Sequence, residues 1–140
     1  ESAPGKVHML LRSSEGAIYR SDSEDGGKTW SAGHKSGLPN PNSGIDLTRL
    51  SDGTLVLAYN PDTANWGSRS PLSLAVSFDN GETWPKILDI DSGDKEDEFS
   101  YPAVVSYEDT IAVSYTWNRK NIAYWIGTKD ALIKAAKERQ

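Results

Sequence analysis

The chain has 140 residues, 36% of them hydrophobic and 25% charged, which suits a folded core and does not suit a disordered tail. Its formal net charge of −5 argues against a nucleic-acid partner, because phosphate binding needs a basic face. No apolar run reaches the roughly 18 residues of a membrane span. Nor does a basic-then-apolar leader open the chain. The lack of cysteine excludes disulfides and thiolate chemistry and leaves the compartment, secreted or cytoplasmic, undecided.

In chain order, alternating apolar and polar residues predict strands at 7–12 and 17–22, a short one from Trp30, then 45–50, 54–60, 72–78, 84–90, 101–107, 110–117 and 121–126. Ser51-Asp52-Gly53 and Glu108-Asp109 read as tight hairpin turns, Asp-Gly being a strong two-residue turn signal. Only the tail, 129–140, reads as helix, with Ala131, Leu132, Ala135 and Ala136 set among Lys and Glu.

One motif recurs. Ser23-x-Asp25-x-Gly27-x-Thr29-Trp30 returns as Ser77-x-Asp79-x-Gly81-x-Thr83-Trp84, displaced by 54 residues. A period near 50 with four strands per unit signals propeller blades. Asp25 and Asp79 can accept backbone N–H groups inside a turn, Gly27 and Gly81 can take positive φ, and Trp30 and Trp84 can pack the hairpin on the sheet. The motif is that of the Asp box, a structural turn. With the box between the third and fourth strands of a blade, residues 1–35 form a partial blade, 36–92 a complete one, 93–128 a second partial one and 129–140 a capping helix. The expectation is therefore an all-β fold, a partial β-propeller of about three blades with a short C-terminal helix, its sheet edges left open.

The loops away from the boxes share the other face of such a sheet array. They hold Arg12, Arg69 and Arg119, the acids Glu15, Glu96, Asp97 and Glu98 with Asp46 just inside a strand, and the aromatics Trp66, Tyr101 and Trp117. Converging arginines and aromatic rings suit an anionic sugar, since arginine offers a carboxylate a planar two-pronged fork and keeps its charge. His8 and His34 are too few and too scattered for a metal site, and no phosphate loop or Ser-His-Asp arrangement is present.

Met9-Leu10-Leu11-Arg12 before the first box, Asn60-Pro61 through Arg69-Ser70-Pro71 before the second, and then Phe99-Ser100-Tyr101-Pro102 follow the order arginine, box, arginine, box, tyrosine. In this the chain resembles the C-terminal half of bacterial sialidases, the exo-acting neuraminidase family, and the resemblance implies that its blades belong to a six-bladed β-propeller. Asn40-Pro41-Asn42-Ser43-Gly44-Ile45-Asp46 and Tyr115-Thr116-Trp117 bring it closer still to sialidase-like (BNR) repeat proteins. The resemblance implies that Arg12 and Arg69 grip a substrate carboxylate and that Tyr101 is the nucleophile of a retaining hydrolase acting on a terminal acidic sugar such as sialic acid. Arg119, Trp66, Trp117 and Glu98 become candidate sugar contacts. A tyrosine suits this chemistry because the carboxylate on the anomeric carbon repels an anionic Asp or Glu.

The chain also departs from that family. No Arg-Ile-Pro tripeptide occurs, and Tyr-Ser-Asp is replaced by Tyr101-Pro102-Ala103. The family's general-acid aspartate belongs to an early blade, and the glutamate that activates the tyrosine falls before Glu1. The expectation is thus an incomplete site, inactive by itself, with no cofactor and no support for calcium. Its partners are a carbohydrate and either a missing N-terminal half of the propeller or, in a homo-oligomer, a second copy. The alternatives are a non-catalytic carbohydrate-binding propeller and a self-assembling partial propeller.

Overall fold

A computed structural model describes residues 1–138. The elements run β1 (Val7–Leu11), β2 (Ala17–Ser23), β3 (His34–Pro39), β4 (Asp46–Arg49), β5 (Leu55–Tyr59), β6 (Leu72–Ser77), β7 (Lys86–Asp91), β8 (Phe99–Tyr107), β9 (Thr110–Trp117), β10 (Asn121–Thr128), α1 (Lys129–Ala135) and β11 (Lys137–Glu138). They form three antiparallel sheets, ordered β1-β2-β3, β11-β7-β6-β5-β4 and β10-β9-β8. The chain is an all-β propeller segment with one short helix.

The sheets stack face to face, and hydrophobic burial decides which residues meet. Ile18 and Leu38 of the first sheet pack with Leu55, Leu57, Tyr59, Ala75 and Trp84 of the second. Val56, Ala58, Leu72, Leu74 and Val76 on the opposite face of the second sheet pack with Val104, Ile111, Val113 and Tyr115 of the third. The middle sheet is covered on both sides, so β5 and β6 are buried at every position, the two serines of β6 included. A carboxylate also ties the sheets together: Asp46 Oδ2 accepts the Val104 N–H at 2.7 Å, which makes this acid a structural link.

Both Asp boxes close the same way. Ser23 Oγ accepts the Gly27 N–H at 2.8 Å, and Ser77 Oγ accepts that of Gly81 at 2.8 Å. Asp25 Oδ1 accepts the Lys28 and Thr29 N–H groups at 3.0 and 2.9 Å, and Asp79 Oδ1 accepts that of Thr83 at 2.9 Å. Each aspartate also takes its threonine hydroxyl, at 2.6 and 2.5 Å. Gly27 and Gly81 stand at φ 85° and 82°, where a side chain would be strained.

Four local expectations need correction. No strand starts at Trp30: residues 30–33 are held beside β2 by the Ser31 hydroxyl and backbone, and ladder pairing begins at His34. The strand expected from Trp84 begins at Lys86, because Pro85 has no N–H to give the ladder. The strand expected from Tyr101 begins at Phe99 and carries a bulge between Ser100 and Ala103. The tail is helical only to Ala135. Lys137 and Glu138 then pair with Ile87 and Lys86 at the exposed edge of β7, where hydrogen bonding in the ladder outcompetes a marginal helix. Arg139 and Gln140 of the expected helix lie outside the described residues.

Candidate active site

The end of the sheets opposite the boxes is built from five connections: 12–16, 40–45, 60–71, 92–98 and 118–120. Asn60 anchors them. Its side chain is fully buried, and its amide nitrogen lies 2.9 Å from the carbonyl oxygens of Arg69, Pro71 and Phe99. The carboxamide thus holds the 60–71 loop against the start of β8. The Phe99 N–H donates to Arg69 O at 3.1 Å and completes the join.

Arg69, Glu98, Tyr101 and Arg119 meet at this junction. Glu98 Oε1 accepts Arg69 Nη1 at 2.9 Å and the Ser100 hydroxyl at 2.6 Å, and Oε2 accepts Arg119 Nε at 2.9 Å. Partial burial alone would raise the Glu98 carboxyl. The Ser100 hydroxyl, the Arg119 hydrogen bond and the charge of Arg69 outweigh burial and hold it below the ordinary carboxylate range. Glu98 is therefore an ionised brace between two arginines. Arg69 is mostly covered, with 12% of its side chain exposed, while Arg119 is 68% exposed. The Glu98 contact raises the Arg119 guanidinium further above its ordinary value.

Tyr101 sits on the β8 bulge at φ 51°, a conformation costly for a non-glycine residue. The bulge turns its ring outward, 55% exposed, with the Arg69 guanidinium 5.4 Å from the ring centroid. Gly44 lies against that ring: a Cβ there would stand 3.5 Å from Tyr101 Cδ1, in van der Waals contact. Tyr101, Thr116, Arg119 and Asn121 line an open hollow of about 520 Å³. A neighbouring hollow of about 260 Å³ is lined by Trp66, Arg69, Lys95, Glu98 and Arg119.

The remaining candidates lie around this cluster. Trp66 is 70% exposed at φ 60°, and its backbone N–H donates to Pro41 O at 3.1 Å. Arg12 follows β1 and is exposed; its Nε donates to Asn42 Oδ1 at 3.0 Å, and Asn42 Nδ2 donates to Asn65 Oδ1 at 3.1 Å. It thus reaches the loop that carries Trp66 and Arg69 through Asn42 and does not touch Arg69, Glu98 or Tyr101. Trp117 ends β9 opposite Phe99 and Asn121, and its side chain lines neither hollow.

Sequence reasoning passed over three residues that shape the site. These are Asn60, Ser100 and Asn118. Asn118 Oδ1 accepts the Glu98 N–H at 2.6 Å, and Asn118 Nδ2 donates to Asp97 Oδ1 at 2.9 Å. Asn118 and Arg119 stand at φ 50° and 52° in a turn closed by Lys120 N–H to Trp117 O at 3.0 Å. That is a type I′ hairpin, and an asparagine at its first central position is the signal that marks it in sequence. Among the described residues no group of three or more His, Asp or Glu is placed to hold a metal ion, and no helix is long and apolar enough to cross a membrane.

Comparisons with known proteins agree with this architecture. Residues 1–113 match the family described as BNR repeat-like domain. The chain superposes on the NanB sialidase of Streptococcus pneumoniae with a TM-score of 0.74 and 21% identity, over 94% of this chain and 23% of that one. The Ruminococcus gnavus intramolecular trans-sialidase gives 0.71 and 16% identity over 92% and 31%, and the leech intramolecular trans-sialidase gives 0.74 and 17% over 93% and 23%. The chain thus spans less than a third of the length of each of these structures. No curated protein matches the sequence.

Proposed function

The chain belongs to the BNR repeat-like domain family, with a sialidase-like fold, and from that premise we propose that it supplies the carboxylate-binding and nucleophile side of a sialidase-like glycosidase site. One observation carries the proposal: a mostly covered arginine, braced by an ionised glutamate, stands over the ring of an outward-turned tyrosine at the end of the sheets away from the boxes. Glu98 engages Arg69 through one of its nitrogens, so the guanidinium is positioned and a carboxylate can take remaining donors. Arg119 extends the positive field over the larger hollow, and Trp66 offers its face to a sugar ring.

In this reading the substrate is a terminal acidic sugar whose carboxylate lies on Arg69, with Arg12 at the rim. The Tyr101 oxygen bonds to the anomeric carbon as the bond to the leaving sugar breaks, and the leaving oxygen takes a proton. Water then breaks the tyrosyl–sugar bond, so configuration is retained. The acid that protonates the leaving group and the base that takes the phenolic proton are not among the residues gathered here; further blades supply them.

Titration of the chain with N-acetylneuraminic acid, read by backbone amide shifts, tests binding. Shifts should concentrate at residues 66–69, 98–101 and 118–121 and vanish in Arg69→Ala, with no response to galactose. Shifts centred on the Asp-box turns would sink the assignment. Hydrolysis of a fluorogenic sialoside by a polypeptide that includes the remaining blades tests the chemistry, and Tyr101→Phe should then lose at least about a hundredfold in kcat. Equal rates would remove Tyr101 from the nucleophile role.

A further inference from the structure

Residues 40–44 connect β3 to β4, and each of them meets a different part of the site. The Asn40 N–H donates to Gly16 O at 3.3 Å, in the connection that follows Arg12. Pro41 O accepts the Trp66 N–H at 3.1 Å. Ser43 Oγ donates to Asn60 Oδ1 at 2.8 Å, both side chains being fully buried, and Gly44 lies against the Tyr101 ring.

Asn42 stands at the centre of this segment at φ 61°, a conformation that asparagine tolerates better than most residues. Its carboxamide faces two ways. Oδ1 accepts Arg12 Nε at 3.0 Å, and Nδ2 donates to Asn65 Oδ1 at 3.1 Å, next to Trp66 and in the loop that carries Arg69. One side chain thus ties an arginine that follows the first sheet to a loop of the middle one. The braces of the arginines differ in charge. Arg69 and Arg119 both lean on the Glu98 carboxylate, which offsets their charge. Arg12 leans on a neutral amide, which orients its guanidinium and leaves the full positive charge to attract an anion. Fixing a long exposed side chain beforehand also lowers the entropy lost when it takes a ligand.

We propose that Asn42 is a positioning residue that acts through Arg12: it holds the Arg12 guanidinium beside the Arg69 loop, where the carboxylate of the acidic sugar draws on both arginines. Holding Arg12 by Nε leaves its two Nη groups to that carboxylate. Asn42 itself touches no sugar. The inference rests on the acidic-sugar reading for its ligand, and on the Arg12–Asn42–Asn65 bridge for its geometry.

Asn42→Gly tests it, because glycine adopts the same backbone and removes only the bridge, so urea unfolding should stay close to that of the parent. Titration with N-acetylneuraminic acid, read by amide shifts, should show affinity weakened about tenfold. In an Arg12→Ala background the same change should alter affinity less than about twofold, since the residue it acts through is gone. Unaltered affinity in Asn42→Gly would overturn the proposal, as would a tenfold loss that persists without Arg12. A second measurement needs no sugar. Solvent exchange of the Arg12 Nε–H in the free chain should quicken at least about tenfold in Asn42→Gly, and unchanged exchange would overturn the positioning role whether or not the acid binds. A parent chain that leaves the acid unbound, with Nε–H protection still lost in Asn42→Gly, would sink the sugar reading and uphold the hold of Asn42 on Arg12.

Discussion

The two Asp boxes contain the same five residues and make the same turn, yet they end in different surroundings. In the second, Trp84 is 3% exposed within the core shared by the first and middle sheets, and its indole N–H is buried without a hydrogen-bond partner. In the first, Trp30 is 37% exposed and its indole N–H donates to Gly27 O at 3.0 Å. Arg20 of β2 reaches from beside the first box to the second, giving Nη1 to Asn80 O at 3.0 Å and Nη2 to Glu82 at 3.0 Å. The box is a self-sufficient turn whose weight in the fold depends on whether a neighbouring sheet covers its tryptophan.

That difference can be measured. Trp84→Ala should have the largest effect, a loss of about 3–5 kcal/mol in urea unfolding from the cavity left between two sheets. Trp84→Phe should recover most of it, because the indole N–H contributes no hydrogen bond. Next come the serines. Ser77→Ala strands the buried Gly81 N–H and should cost about 2 kcal/mol, whereas Ser23→Ala, at a less covered turn, should cost about 1 kcal/mol. Trp30→Ala should cost about 1 kcal/mol or less, since the ring packs only partly. A thermal or urea series in which Trp30 and Trp84 cost the same would break the comparison.

The smallest effect is in acid. The Thr29 hydroxyl and N–H, with the Ser23 hydroxyl, hold Asp25 down to about 2 from its ordinary 3.8. In Asp79 burial opposes the shift, and the Thr83 and Ser77 hydrogen bonds still leave it lowered. A carboxyl depressed in the folded state adds stability above its unfolded value and loses it as pH falls through the folded one. Asp25→Asn and Asp79→Asn should each flatten the fall in stability between pH 4 and 2, and neither should alter amide shifts around Arg69 at the opposite end. A steeper acid limb in Asp25→Asn would reverse the assignment.

Much of this molecule was legible in its residues. The 54-residue box repeat, the alternating strands and the Asp-Gly turn at 52–53 determined an all-β propeller segment and the end of the sheets where chemistry could gather, because turn geometry and strand alternation are local properties. The tertiary structure alone decided which charged groups meet. Glu98 stands in a run of charges that reads as a wet loop, and only the join made by Asn60 and the Asn118–Arg119 turn brings it between Arg69 and Arg119. It alone showed that Arg12 reaches the site through Asn42, that the tail after Ala135 pairs with β7, and that Trp84 is core while Trp30 is rim. Such pairings join residues 20 to 60 positions apart; they follow from how sheets stack, which no short stretch of sequence contains.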